Sequence, residues 1–149
     1  MTKGFDFLHG TWNVVNRRLL APLTGSDTWD EFPAVSTCRP FFGGNVDEIS
    51  FPTKGAAGLT LRTWDVEREQ WAIYWISSRT GVLQAPVFGD FVSDTEGEFY
   101  GWDEFEGRRV KVSYLWTVES ADSATWRQGF SLDDGESWEI NWVMSLTRS

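Results

Sequence analysis

Apolar and polar residues alternate along most of this chain, and this alternation restricts its fold more than any other feature. Side chains that repeat every two residues indicate half-buried β-strands. One segment shows the pattern clearly, with its two faces formed by Val110, Val112, Tyr114 and Trp116 on one side and Arg109, Lys111 and Ser113 on the other. No segment keeps a helical period of about 3.6 residues for three turns. The sequence therefore predicts an all-β protein.

The pattern divides into about ten strands. We predict them at 11–19, 27–39, 45–51, 58–65, 70–78, 86–92, 97–103, 108–117, 123–131 and 138–148. Many of the intervening segments are short and rich in glycine and acidic residues, which is typical of hairpin turns, so consecutive strands should be antiparallel neighbours. Two joins, 40–44 and 79–85, are less regular and are expected to border an opening.

An antiparallel sheet of this size has no helices to cover it, so it must close or split into two packed sheets, because an open sheet exposes two edges. The chain of 149 residues fits one domain over 1–149. We therefore predict a single up-and-down β-barrel of about ten strands. Residues 5–9 are expected to form a short helical plug at one end. In the last strand, Trp138, Ile140, Trp142, Met144 and Leu146 are expected to face inward, and Asn141 outward.

The N-terminal segment carries a resemblance to a known group of proteins. Phe5-Asp6-Phe7-Leu8-His9-Gly10-Thr11-Trp12, paired with Arg148 at the other end of the chain, resembles the signature of lipocalins and their calycin relatives. Further segments at 39–48, 73–75, 98–101 and 141–144 look like an uncharacterised family of small bacterial calycin-like proteins. The resemblance implies a calycin-like barrel in which Arg148 stacks on Trp12 and both close one end. It implies no activity, and it moves the search for a site to the opposite mouth.

Composition excludes several classes of partner. Lys and Arg total 13 against 22 Asp and Glu, a net charge of −9, which repels phosphate backbones and anionic lipid, so we expect no nucleic-acid or membrane partner. We find no leader and no long apolar run, so a cytoplasmic protein is expected. Cys38 is the only cysteine, which excludes an internal disulfide, and we expect it to be buried. We expect no metal site and no cofactor.

A barrel of about ten strands is wider than its side chains can fill, which predicts a ligand cavity. The 10 Trp residues would supply its walls. The ligand-binding candidates are the residues expected on inward faces: Asn16, Arg18, Trp75, Ser77, Glu98, Tyr100, Tyr114, Trp126, Gln128 and Trp142. Glu98 and Tyr100 share a face with Trp102, and the pattern leaves the orientation of that strand open. Arg18 either meets an acidic ligand or Glu98 inside the barrel, or is solvated at the rim.

These features favour a binding protein whose lumen holds a small, largely apolar molecule oriented by Arg18, Tyr114 and Gln128. An alternative is a cofactor-independent enzyme of the isomerase or cyclase type, in which a tyrosine or a buried Glu31, Asp47 or Glu98 moves a proton. A minor alternative is a haem-binding barrel like the nitrobindins with His9 as ligand, although the Gly-x-Gly expected after the first Trp is absent. A third alternative is a homodimer, which would use apolar outer-face residues, and the candidates are Tyr74, Ile76 and Leu115.

Overall fold

A computed structural model describes residues 4–149. It contains ten strands, which run over β1 Gly10–Leu19, β2 Trp29–Phe41, β3 Gly44–Phe51, β4 Ala56–Asp65, β5 Gln70–Ser77, β6 Val87–Phe91, β7 Glu96–Phe105, β8 Arg108–Ser120, β9 Ser123–Ser131 and β10 Glu139–Arg148. Two short 3-10 turns, Asp6–Leu8 and Pro52–Lys54, complete the elements. Each predicted strand is confirmed, with its ends displaced by a few residues at most.

The strands form one closed barrel in which each pairs with its neighbours in the sequence, and β1 closes against β10. All the pairings are antiparallel. The closing seam runs from the pair Trp12 and Arg148 to the pair Arg18 and Trp142. The predicted all-β, up-and-down barrel is therefore confirmed. Within residues 4–149, no helix has the length and apolar character needed to cross a bilayer.

The prediction that the join 40–44 is irregular and borders an opening is wrong. β2 continues to Phe41 and β3 begins at Gly44, which leaves the two-residue turn Phe42-Gly43 with φ values of 26° and 89°. Glycine adopts this left-handed backbone without strain, so the segment 40–44 makes a tight hairpin and borders no opening. The other join, 79–85, remains irregular and lies at the opposite end of the barrel, where Arg79, Thr80, Gln84 and Ala85 line open space.

The N-terminal segment packs against the barrel end that carries Trp12. The predicted helical plug is only a 3-10 turn, which covers the three residues Asp6–Leu8. Phe5 precedes this turn and is only 1% exposed, with its ring centroid 5.0 Å from that of Phe91 and 5.2 Å from that of Trp71. The segment is therefore fixed by aromatic contacts, and its short turn contributes few backbone hydrogen bonds.

A β-bulge in β10 reverses part of the predicted face assignment. The register with β9 shifts between Ile140 and Trp142, so Asn141 is the extra residue. Ile140 pairs with Gly129 and lies on the outer face, while Asn141 is buried and lines the lumen. The inward position predicted for Ile140 and the outward position predicted for Asn141 are both wrong, because one inserted residue changes the alternation of faces. Trp138 also lies outside, with its ring centroid 5.8 Å from that of Tyr100.

Candidate functional site

The barrel lumen contains unfilled space in three adjoining parts. A deep cavity of about 70 Å³ lies nearest the N-terminal turn. A mouth of about 600 Å³ opens at the other end of the barrel, and a side cavity of about 210 Å³ lies beside it. Trp75 and Trp142 line all three parts. These two side chains therefore stand between the mouth and the deep cavity, whose far end is lined by Leu8.

Aromatic rings form much of the wall of the deep cavity. Trp126 meets Tyr114 and Trp142 edge to face, with ring centroids 5.1 Å and 5.5 Å apart. Burial raises the pKa of Tyr114 to about 12, and the negative charge of Asp103 adds to this effect. Burial likewise raises the pKa of Cys38 to about 11. Both side chains therefore stay protonated and uncharged at neutral pH.

Most of the candidates predicted from the sequence border this space. Arg18 and Ser77 line the mouth, and Tyr114, Trp126 and Gln128 line the deep part with the two shared tryptophans. Asn16 is different, because it is completely buried behind the wall: its side-chain amide donates to Phe32 O at 3.2 Å and accepts from Trp142 Nε1 at 3.0 Å. Asn16 therefore orients the Trp142 indole, and it does not line any of the three cavities.

Glu98 and Tyr100 do not line the lumen. The inward positions of β7 belong to Gly97 and Phe99, so Glu98 and Tyr100 project outward and are exposed. The Tyr100 hydroxyl donates to Glu98 Oε1 at 3.1 Å on the outer surface. Their prediction as lumen residues is wrong. The reason is physical, because both faces of this strand carry aromatic residues and alternation alone does not distinguish them.

A buried ion pair at the deep end was not predicted from the sequence. Arg62 Nη1 lies 2.6 Å from Asp47 Oδ2, and the two side chains are 6% and 8% exposed. The same nitrogen donates to Asn45 Oδ1 at 3.0 Å, and the Asn45 amide donates to Phe5 O at 3.1 Å. Asp47, considered above as an acid or base, is therefore already paired with a cation. The one indication in the sequence that Arg62 faces inward is the alternation of faces in β4. Arg62 lies two residues after Thr60, and both line the deep cavity.

The mouth carries an unequal set of charges. Lys54 forms an ion pair with Asp30, whereas Arg18, Arg79 and Glu106 also line the mouth and form no ion pair with a described residue. The Arg18 guanidinium lies 4.3 Å from the Trp142 ring centroid. Partial burial and then the charge of Arg79 lower the pKa of Arg18. Apart from the Lys54–Asp30 ion pair, the mouth is therefore lined by two guanidiniums and one carboxylate.

The opposite end is closed by the pair expected from the resemblance. The Arg148 guanidinium lies 4.2 Å from the centroid of the Trp12 ring. It also donates to His9 O at 2.7 Å and to Phe7 O at 2.8 Å. Trp12 is fully buried and donates through Nε1 to Leu8 O at 2.9 Å. These contacts fasten the N-terminal segment to the barrel, so Trp12 and Arg148 are structural here.

His9, the haem-ligand candidate, does not line any of the three parts of the lumen. In the part of the chain that the structure describes, no group of three or more His, Cys, Asp or Glu side chains is placed to hold a metal ion. Comparison with protein-family models finds no match to the chain. Comparison with curated proteins finds no significant match either. The function therefore has to be argued from the lumen itself.

Proposed function

We propose that this barrel binds a small, largely apolar molecule in its lumen. The observation that carries the proposal is the unfilled space in the barrel, a mouth of about 600 Å³ with two further cavities, all lined by Trp75 and Trp142. Protein interiors ordinarily pack to high density, and an unfilled apolar cavity lowers the stability of the folded state. A concave, mostly aromatic chamber with a few polar groups is the usual form of a small-molecule site.

The polar groups in the lumen would orient such a molecule. Tyr114 and Gln128 line both the deep part and the side cavity, and Arg18 lines the side cavity and the mouth. A ligand that enters from the mouth would pass Arg18 first and then reach the tryptophan walls. A few polar groups at fixed positions would set the orientation of the ligand, and contact with the aromatic rings would supply its affinity.

The calycin-like relationship belongs to this proposal as well. Its support is the stacking of Arg148 on Trp12 and the attachment of the N-terminal turn at the same end. We propose that this turn, with Phe5 and Leu8, acts as the plug of a calycin-like barrel. One closed end and one open end suit a container with a single entrance.

The enzymatic and haem alternatives stay predictions that the geometry favours less. Cys38 and Tyr114, with pKa values raised to about 11 and about 12, are poor proton donors at neutral pH. Asp47 is held by Arg62. A haem ligated by His9 would need this residue to face the lumen, which it does not line. An absorption scan of the purified protein tests the haem alternative, for which a Soret band is the expected signal.

A neutral fluorescent probe tests the proposed function. N-phenyl-1-naphthylamine fluoresces strongly in apolar surroundings, and we expect one equivalent to bind with a large rise in emission. The variant Ser77→Trp fills the mouth, where Ser77 lies, and should weaken binding by about tenfold or more, equivalent to about 1.4 kcal/mol. The control Val35→Trp adds the same side chain at a position that is 42% exposed on the outer face. Absence of binding, or equal binding by both variants, would contradict the proposal.

A further inference from the structure

A buried amide donor beside the side cavity has no acceptor among the described residues. Asn141, placed inside by the β10 bulge, is 2% exposed, and its Nδ2 atom makes no hydrogen bond in the described structure. Its Oδ1 atom already accepts from Gln128 Nε2 at 2.9 Å. A buried donor without a partner costs about 1–3 kcal/mol. The orphaned amide therefore indicates a missing acceptor, and it lines the cavity of about 210 Å³.

Arg18 lines the same side cavity from an exposed position on β1. Its guanidinium lies over Trp142, the residue next to Asn141, and no described carboxylate lies within ion-pair distance of it. Arg79 adds a second positive charge at the mouth, and its Nη2 atom donates to Lys54 O at 3.0 Å. Two neighbouring guanidiniums repel each other, and an anion placed between them and the amide would relieve that repulsion.

The carboxylates around these cavities limit the charge of the missing group. Glu106 lines the mouth and Asp103 lines the side cavity. They would repel a dianion such as a phosphate monoester more than a group with a single charge. A carboxylate has one charge and a planar pair of oxygens, which matches the fork of an arginine. A monocarboxylate therefore suits this part of the lumen.

The buried arginine at the deep end is a less suitable place for that carboxylate. Arg62 is already paired with Asp47 and bonded to Asn45, and the cavity beside it measures only about 70 Å³. A second carboxylate there would have to displace Asp47 from a buried ion pair. The mouth side offers more space, together with a guanidinium that has no ion-pair partner and an amide that has no acceptor among the described residues.

We infer that the lumen takes an amphipathic monocarboxylate whose head group lies between Arg18 and the Asn141 amide. Its apolar body would extend along Trp75, Trp142 and Phe105, which line the mouth and the side cavity together. This inference rests on the proposed function and adds the chemical class of the ligand. It also assigns a role to the β10 bulge, which turns an amide into the lumen.

Matched ligands separate the head group from the apolar body. Decanoate and decan-1-ol share a chain and differ in charge, and isothermal titration calorimetry measures both. We expect the protein to bind decanoate about tenfold or more tightly than decanol, as hydrogen bonds to charged groups allow. Equal affinity for the two would overturn the inference while leaving lumen binding in place. Absence of binding by both would contradict the proposed function itself.

Two variants and one control locate the head group. Arg18→Gln and Asn141→Leu should each weaken decanoate binding, the first by about tenfold or more, and Arg18→Gln should weaken decanoate binding more than decanol binding. The control is Arg17→Gln on the outer face of the same strand, where the guanidinium lies 5.1 Å from the Trp29 ring centroid. A similar loss of decanoate affinity in Arg17→Gln and Arg18→Gln would indicate a general charge effect and overturn the inference.

Discussion

At the scale of single residues, Arg148 of β10 connects the N-terminal segment to Trp12 of β1 at the closed end. Its guanidinium covers the Trp12 ring and donates to carbonyls of Phe7 and His9. Lysine keeps the charge but loses the planar fork, so it cannot stack and make these hydrogen bonds together. We expect Arg148→Lys to lower the free energy of unfolding by about 2 kcal/mol in urea titrations.

The matched control for that substitution is Arg108→Lys, at an exposed position where β8 begins. We expect it to change stability by less than about 0.5 kcal/mol. Equal effects of the two substitutions would mean that the contacts of Arg148 contribute little. The closed end would then depend on the packing of Phe5 and Trp12 alone.

At the scale of strands, the seam between β5 and β6 is the least paired part of the barrel. Three residue pairs join these strands, Trp71 with Gly89, Ala72 with Phe88 and Ile73 with Val87, whereas ten pairs join β1 to β2. The side cavity lies next to this seam, at Gln84, Ala85 and Val87. We expect the amides of β6 to exchange with deuterium about tenfold or more faster than those of β1, because local opening breaks fewer hydrogen bonds there.

Hydrogen exchange followed by mass spectrometry measures this difference, with β1 as the internal reference. Uniform exchange across all ten strands would contradict the expectation and indicate that the barrel opens only as a whole. A bound ligand should slow exchange in β6, because Val87 of this strand lines the side cavity.

Strands were also the features that the sequence predicted best. Alternation located every strand because a closed barrel has one apolar and one polar face throughout. The failures occur where that rule is broken locally. The inserted Asn141 reverses the faces in β10, and Tyr100 brings an aromatic ring to the outside of β7. The inward Arg62 was missed because a charged residue in a strand ordinarily faces water, and only its pairing with Asp47 allows burial.

At the scale of the whole molecule, stability should fall in alkaline solution. Burial raises the pKa of Cys38 to about 11 and that of Tyr114 to about 12. In the unfolded chain both groups lose protons at lower pH, so above about pH 9 the unfolded state binds fewer protons than the folded state. The stabilisation is complete below the unfolded pKa values and is lost as the pH rises through the folded ones.

The variant Cys38→Ala isolates one of these two groups. Between about pH 8 and pH 10, we expect the free energy of unfolding of the parent protein to fall by about 1 kcal/mol more than that of the variant. Urea titrations at each pH provide the values, and other titrating groups cancel in the comparison. The same pH dependence in both proteins would show that the Cys38 thiol is not shielded from water in the folded barrel.

The central claim is that the lumen between the mouth and the N-terminal turn holds a small molecule. A crystal structure with a decanol that carries bromine at its far end tests it most directly, because anomalous scattering locates the bromine independently of the rest of the density. We predict the bromine inside the barrel, against Trp75 and Trp142. A bromine found only on the outer surface, with the lumen containing ordered water alone, would contradict the claim.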